Sequence, residues 1–203
     1  MNIGIDIDDV IIDTYEIYFA YAQKYTIEEL KKEPIIKDDG LLKTSCYATY
    51  MHNWTQEQED VFWGKYARTI LENANLKTFA KEIIERLRKE GNRIIIITAR
   101  EGIEEEITYE YFKKVDLKVD KVICGVKNKG KTAKENRIDI FVDDNYENCL
   151  ETSKLGIKTY IMDIRSNRNI KDNNIERVYS WPHLYQKIKQ SNINSKGGIK
   201  KWT

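Results

Sequence analysis

The chain has 203 residues, 41% apolar and 33% charged, with a formal net charge of +1. That length holds one domain with an insertion, or one domain plus a small second one. The near-neutral charge, spread without blocks, gives no bulk attraction to a nucleic-acid polymer or an anionic membrane. No apolar run is long enough to span a bilayer, and Asp6, Asp8 and Asp9 interrupt any N-terminal signal segment. Cys46, Cys124 and Cys149 are odd in number, far apart and form no CxxC pair, which fits a reduced, cytoplasmic setting. His52 and His183 are isolated and lack zinc-site spacing.

Residues 2–7 read as a first strand closed by clustered carboxylates. From Thr14 to Tyr25 the pattern turns helical, crowded with Tyr15, Ile17, Tyr18, Phe19 and Tyr21. Thr26-Ile27-Glu28-Glu29 has the form of a capping box opening a short helix that stops before Pro34, and residues 37–40 form a turn. Thr55-Gln56-Glu57-Gln58 is a second capping signature, leading a helix through Phe62, Trp63, Tyr66 and Ile70. Residues 77–89 make an amphipathic helix with Phe79, Ile83, Ile84 and Leu87 on one face and Gly91 behind it. A regular alternation follows: strand 92–97, helix 102–114, strand 121–124, helix 130–137, strand 138–142 and helix 145–154. Strands 157–161 and 176–179 and a helix over 182–189 complete it.

Strands separated by single helices build βαβ units, hence an α/β, Rossmann-like parallel sheet with helices on both faces. Residues 15–75 do not join that rhythm and read as a small helical cap inserted after the first strand. The core is then 1–14 and 76–190, and 191–203, rich in Asn, Ser, Gly and Lys, reads as a frayed tail.

Three apolar strands run straight into polar residues. The first meets Asp6 and Asp8, Ile94-Ile95-Ile96-Ile97 meets Thr98, and Ile138-Asp139-Ile140-Phe141-Val142 meets Asp143-Asp144. These are strand C-terminal ends, where open α/β sheets place their sites. Crowded carboxylates repel one another unless a cation sits among them, and Mg²⁺ takes oxygen ligands of this kind. In that setting Asp6 is a metal-bound nucleophile, and Asp8 is an acid for a leaving oxygen and a base for water. Asp9 and Asp13 read as turn and cap residues.

This set, in this order and strand context, resembles the haloacid dehalogenase (HAD) superfamily over residues 2–10 and 92–160. The resemblance implies that Asp6 accepts the phosphoryl group and that Asp8 is the acid/base. It makes Thr98 a phosphoryl-holding hydroxyl. By the same resemblance Asp6, Asp8 and Asp144 hold the metal, and Asp143 supports them from behind without binding it. It also calls for a phosphate-binding lysine. Lys129 fits best, with Lys127 and Lys131 open. Asp9 departs from the family, where Gly is usual. A competing pattern overlaps the same stretch: 125–132 match G-x-x-x-x-G-K-[ST], a nucleotide-binding P-loop centred on Lys131, which leaves Asp6, Asp8 and Thr98 unexplained.

The insertion carries Tyr15, Tyr18, Phe19, Tyr21, Tyr25, Tyr47, Tyr50, Trp54, Phe62, Trp63 and Tyr66, as its own core or as a surface that stacks on a base. A helical insert between the first and second motifs, with Arg177-Val178-Tyr179-Ser180-Trp181 toward the C-terminus, looks like the 5′-nucleotidase and 5′(3′)-deoxyribonucleotidase branch, Trp181 itself reading as packing. The implied activity is Mg²⁺-dependent hydrolysis of a (deoxy)nucleoside monophosphate through an aspartyl-phosphate; the alternative is another small phosphorylated metabolite. No membrane and no nucleic-acid polymer is expected as partner, and oligomeric state stays open.

Overall fold

The computed structural model describes residues 1–33 and 53–196. Six parallel strands form one sheet in the order β5-β4-β1-β6-β7-β8. They are β1 (Asn2–Ile5), β4 (Arg93–Ile97), β5 (Lys121–Ile123), β6 (Ile140–Asp143), β7 (Lys158–Met162) and β8 (Glu176–Val178). β1 is central, with Ile5 paired to Ile96 on one side and Val142 on the other. The order reverses at β1, so a crevice opens above its C-terminal end.

Side chains alternate across the sheet as a period of two requires. Ile3, Ile5, Ile94, Ile96, Ile140 and Val142 face one cluster, closed by Ile84, Leu87, Phe112, Leu184 and Ile188. Ile95, Ile97 and Phe141 face the other, with Ala133. Helices α3 (Ala80–Lys89), α4 (Ile103–Lys114) and α7 (Trp181–Lys196) thus cover one face. Helices α5 (Lys129–Glu135) and α6 (Tyr146–Lys154) cover the other. Gly4 is required in the middle of β1, because a Cβ there would lie 3.0 Å from Phe141 and 3.1 Å from Ile138.

After β1 the chain turns tightly and enters β2 (Ile12–Asp13), which pairs antiparallel with β3 (Asn75–Leu76). This ribbon brings together the two ends of the segment expected to be a cap. Between them lie α1 (Tyr15–Lys24), a π-helical turn (Tyr25–Glu29) and α2 (Gln56–Asn73). Tyr18, Tyr25, Trp54, Phe62, Tyr66, Ile70 and Leu71 pack together there, with Ile107 of α4. Among the described residues, Tyr18, Tyr25, Trp54, Phe62 and Tyr66 are therefore core, with Phe19, Tyr21 and Trp63 partly buried against them.

Several sequence expectations hold with shifted ends, and some do not. Thr55 caps α2 with the full reciprocal box, its Oγ accepting from Gln58 N while Gln58 Oε1 accepts from Thr55 N. Thr26 opens no helix. It continues α1 into the π turn, donates to Ala22 O and accepts from Trp54 Nε1, so a buried tertiary partner replaces the capping geometry. Phe79 is not on the buried face of α3; it precedes the helix at φ +66° and is exposed. The last helix runs Trp181–Lys196, longer than the 182–189 expected. Trp181 is packed as read, 1% exposed, its indole donating to Val10 O. Pro34, the 37–40 turn, Cys46, Tyr47, Tyr50 and His52 lie outside the described residues. Among the described residues, no helix is long and apolar enough to cross a membrane.

Candidate active site

Asp6 follows β1 directly and keeps its amide in the sheet, donating to Val142 O. Ile7 turns inward and is fully buried, so Asp6 and Asp8 point the same way, into a cavity of about 510 Å³. The turn behind them needs Asp9 at φ +55°. Such a conformation suits Gly, and Asp tolerates it better than most residues. Asp9 then accepts from Thr14 N and Tyr15 N, the opening amides of α1. It is a buried cap.

The expected residues of β4, α5 and β6 meet at this spot. Thr98, 1% exposed, directly follows β4 and lines the cavity. Lys129 opens α5, where Asn128 caps the helix by accepting from Lys131 N. Its ammonium lies 2.7 Å from Asp6 and 2.8 Å from Asp143. Asp143 is wholly buried, taking further bonds from Asn145 N and Asn148 Nδ2. Carboxylate oxygens of Asp6, Asp143 and Asp144 lie within 4.8 Å of one another.

The three candidate lysines separate by geometry. Lys129 is buried between two carboxylates, whereas Lys127 points outward to Glu101 at the cavity rim. Lys131 is exposed and sits 3.9 Å from Glu135. The P-loop pattern is therefore a coincidence of composition. Gly130 serves packing, because a Cβ there would come within 3.2 Å of the Glu151 backbone in α6, and Lys131 faces solvent.

Asp8 stands apart from the three-carboxylate group. A bidentate fork from Arg100 holds it, Nε at 2.8 Å and Nη2 at 2.6 Å, and Thr14 Oγ donates at 2.7 Å. Arg100 is 4% exposed and its remaining nitrogen donates to Thr108. Burial alone would push Asp8 up, but the Arg100 fork and the Thr14 hydroxyl outweigh it and hold Asp8 below the usual carboxylate range. Asp6 goes the other way: burial raises it to about 7 against the pull of Lys129, with Asp143 and Asp8 adding to the rise. Asp144 is driven well above its ordinary value by burial, then by Asp143, Asp9 and Asp6. Lys129, between two acids, is held firmly protonated despite burial.

Arg100, Asn148 and Asn167 are site residues the sequence reading did not single out. Arg100 left one signal, following Thr98 by two places at the end of the strand. Asn148, whose partner Asp143 lies five residues back, and Asn167, whose partners lie on other elements, left none. The cavity's far wall is made by Tyr15, Tyr18, Glu59, Trp63 and Leu71 of α1 and α2.

Residues 1–194 match the family model for 5′ nucleotidase, deoxy (pyrimidine), cytosolic type C protein (NT5C). A nucleotidase of Clostridium acetobutylicum is 33% identical over 186 residues, covering 91% of this chain and 92% of its own. The fold is similar to that of a haloacid dehalogenase-like hydrolase from Streptococcus pneumoniae, with a TM-score of 0.68 at 12% identity, over 94% of this chain and 97% of the other. A predicted phosphatase from Clostridium acetobutylicum gives a TM-score of 0.67 at 15% identity, over 93% and 98%. The chain belongs to the NT5C family of nucleotidases, phosphatases of the haloacid dehalogenase superfamily.

Proposed function

We propose that the protein is a Mg²⁺-dependent 5′(3′)-nucleotidase that hydrolyses a (deoxy)nucleoside monophosphate through an aspartyl-phosphate on Asp6. The observation that carries this reading is the cavity itself. Its floor combines Asp6, Asp8, Thr98, Lys129 and Asp144, and its far wall is aromatic.

A divalent cation suits the donor set. Asp6, Asp8, Asp9 and Asp144 line the cavity, with Asp143 buried behind them; among the described residues Lys129 bonds to Asp6 and Asp143 and Arg100 to Asp8. Burial first, and then the neighbouring carboxylates, push Asp6 and Asp144 up, so a cation there would favour their charged forms. Hard oxygen donors favour Mg²⁺ over softer ions. Asp6 and Asp144 would hold the metal, which when bound supplies charge neutralisation for the phosphoryl group. Asp143, saturated by Lys129, Asn145 and Asn148, would orient the set from behind. Asp8's carboxylate, committed to Arg100, serves the proton transfers rather than the metal.

A carboxylate oxygen of Asp6 attacks phosphorus and the bond from phosphorus to the nucleoside oxygen breaks. Asp8, in its protonated form, supplies the proton that oxygen needs. Water then attacks phosphorus and Asp8 takes its proton. The Asp6–phosphorus bond breaks, and inorganic phosphate leaves with Asp6 restored. Lys129 fixes the attacking oxygen and offsets charge on the phosphoryl group, while the Thr98 hydroxyl is placed to hold one of its oxygens. Residues 15–75 act as the cap, with Tyr15, Tyr18 and Trp63 facing the nucleoside. A screen of nucleoside monophosphates against sugar phosphates of similar size, with Mg²⁺ and with EDTA, tests the reading. Preference for the nucleotides and loss of turnover in EDTA support it; equal turnover of both classes, or full activity in EDTA, contradicts it.

A further inference from the structure

Asp143 and Asp144 are neighbours with opposite circumstances. Asp143's carboxylate receives Lys129 Nζ, Asn145 N and Asn148 Nδ2. Among the described residues, no hydrogen bond reaches the carboxylate of Asp144, though it is 9% exposed. Its aim must come from its main chain. That main chain has a dedicated partner: Asn167 Nδ2 donates to Asp144 O at 2.7 Å and to Met162 O at 2.8 Å. Asn167 is 2% exposed and sits in the 3₁₀ turn Arg165–Asn167 after β7. Its Oδ1 accepts from Ile164 N at 3.2 Å and from Arg177 Nη1 at 2.6 Å. Arg177 of β8 also donates to Asp163, Asn167 O and Ile170 O. One amide thus bridges the ends of β6 and β7, with Arg177 fixing its orientation from β8.

We infer that Asn167, oriented by Arg177, is a positioning residue that sets the carboxylate of Asp144 for the metal. This rests on the assignment of Asp144 as a metal ligand proposed above. The amide orientation follows from the bonds: only Nδ2 can donate to two carbonyls, and only Oδ1 can accept from Arg177 and an amide N–H. Replacing the amide by a carboxylate of equal size keeps both acceptor bonds and puts an oxygen against two carbonyl oxygens, so the local main chain must shift. Outer partners of metal ligands typically change metal affinity about 10- to 100-fold when altered.

The test measures Mn²⁺ binding directly, by electron paramagnetic resonance of the free ion, together with the melting temperature of the metal-free protein. Asn167→Asp should weaken Mn²⁺ binding by about 10- to 100-fold. Arg168→Ala, which removes an exposed partner of Asp163 and no bond to Asp144, should leave it unchanged. If Asn167→Asp does not fold, Asn167→Ser, too short to reach Asp144 O, is read in the same way. Wild-type Mn²⁺ affinity in the Asn167 variant overturns the inference, as does an equal loss in Arg168→Ala. Asp144→Ala separates the two levels. If it binds Mn²⁺ normally, the metal assignment itself fails. If it loses binding while the Asn167 variant does not, only the positioning role fails.

Discussion

Asp6 and Asp8 lie two residues apart on one strand end, yet their surroundings push them in opposite directions. Burial lifts Asp6 to about 7 although Lys129 is 2.7 Å away, while the Arg100 fork keeps Asp8 low. A cation held at Asp6 would lower it again into the ionised form that a nucleophile needs. Asp6→Asn keeps shape and volume but removes the attacking charge; turnover should fall about 10⁴-fold or more, with melting retained. Arg100→Met leaves Asp8 burial without its counter-charge, so its carboxyl rises. The acid limb for hydrolysis of the phosphorylated enzyme should then move to higher pH, and an unshifted limb would deny Arg100 that role. Asp6, Asp8, Thr98, Asp143 and Asp144 were legible because each closes a β-branched run. Arg100 was half-legible, beside Thr98. Asn167 was invisible, since its bond to Asp144 spans 23 residues and joins the ends of two different strands. The departure at Asp9 gains a reason as well: φ +55° explains why Gly is usual there, and two amide bonds explain how Asp replaces it.

At the level of elements, the strands were legible because parallel strands buried on both faces read as unbroken apolar runs. Helix starts were legible where the cap was local, as at Thr55. They were misread where a distant side chain took over, as when Trp54 claimed the Thr26 hydroxyl. The P-loop pattern misled because Gly130 answers to α6 rather than to a phosphate. The insertion's aromatic richness could not be sorted into core and surface from spacing alone. Phe62 and Trp63 are sequence neighbours, yet Phe62 is fully buried while Trp63, stacked on Tyr18, lines the cavity. Their Ala variants should therefore part ways. Phe62→Ala should cost about 3–5 kcal/mol of stability. Trp63→Ala should melt nearly as the parent, and lose about 1–3 kcal/mol in kcat/KM on a nucleotide but not on a small aryl phosphate. Equal losses on both substrates would make Trp63 structural.

Over the whole molecule, the sheet brings more carboxylates to one crevice than it supplies cations to balance. Folded Asp6 and Asp9 titrate at about 7, well above the value of about 4 for an unfolded Asp. Between those values the folded state holds more protons than the unfolded one, so metal-free stability falls as pH rises from about 4 to about 7. Melting temperature in EDTA should drop across that window, and Mg²⁺ should recover more of it at the high end, where the carboxylates are free to bind. A flat profile in EDTA would contradict this balance of charges. The central claim is that Asp6 carries the phosphoryl group during hydrolysis of a nucleotide. The most direct measurement is a rapid acid quench of one turnover with a nucleoside monophosphate labelled in its phosphate, followed by peptide mapping. The expected result is label on the peptide containing Asp6, lost on hydroxylamine treatment and absent in Asp6→Asn; a full burst of nucleoside with no label there, or label on another residue, would contradict the account.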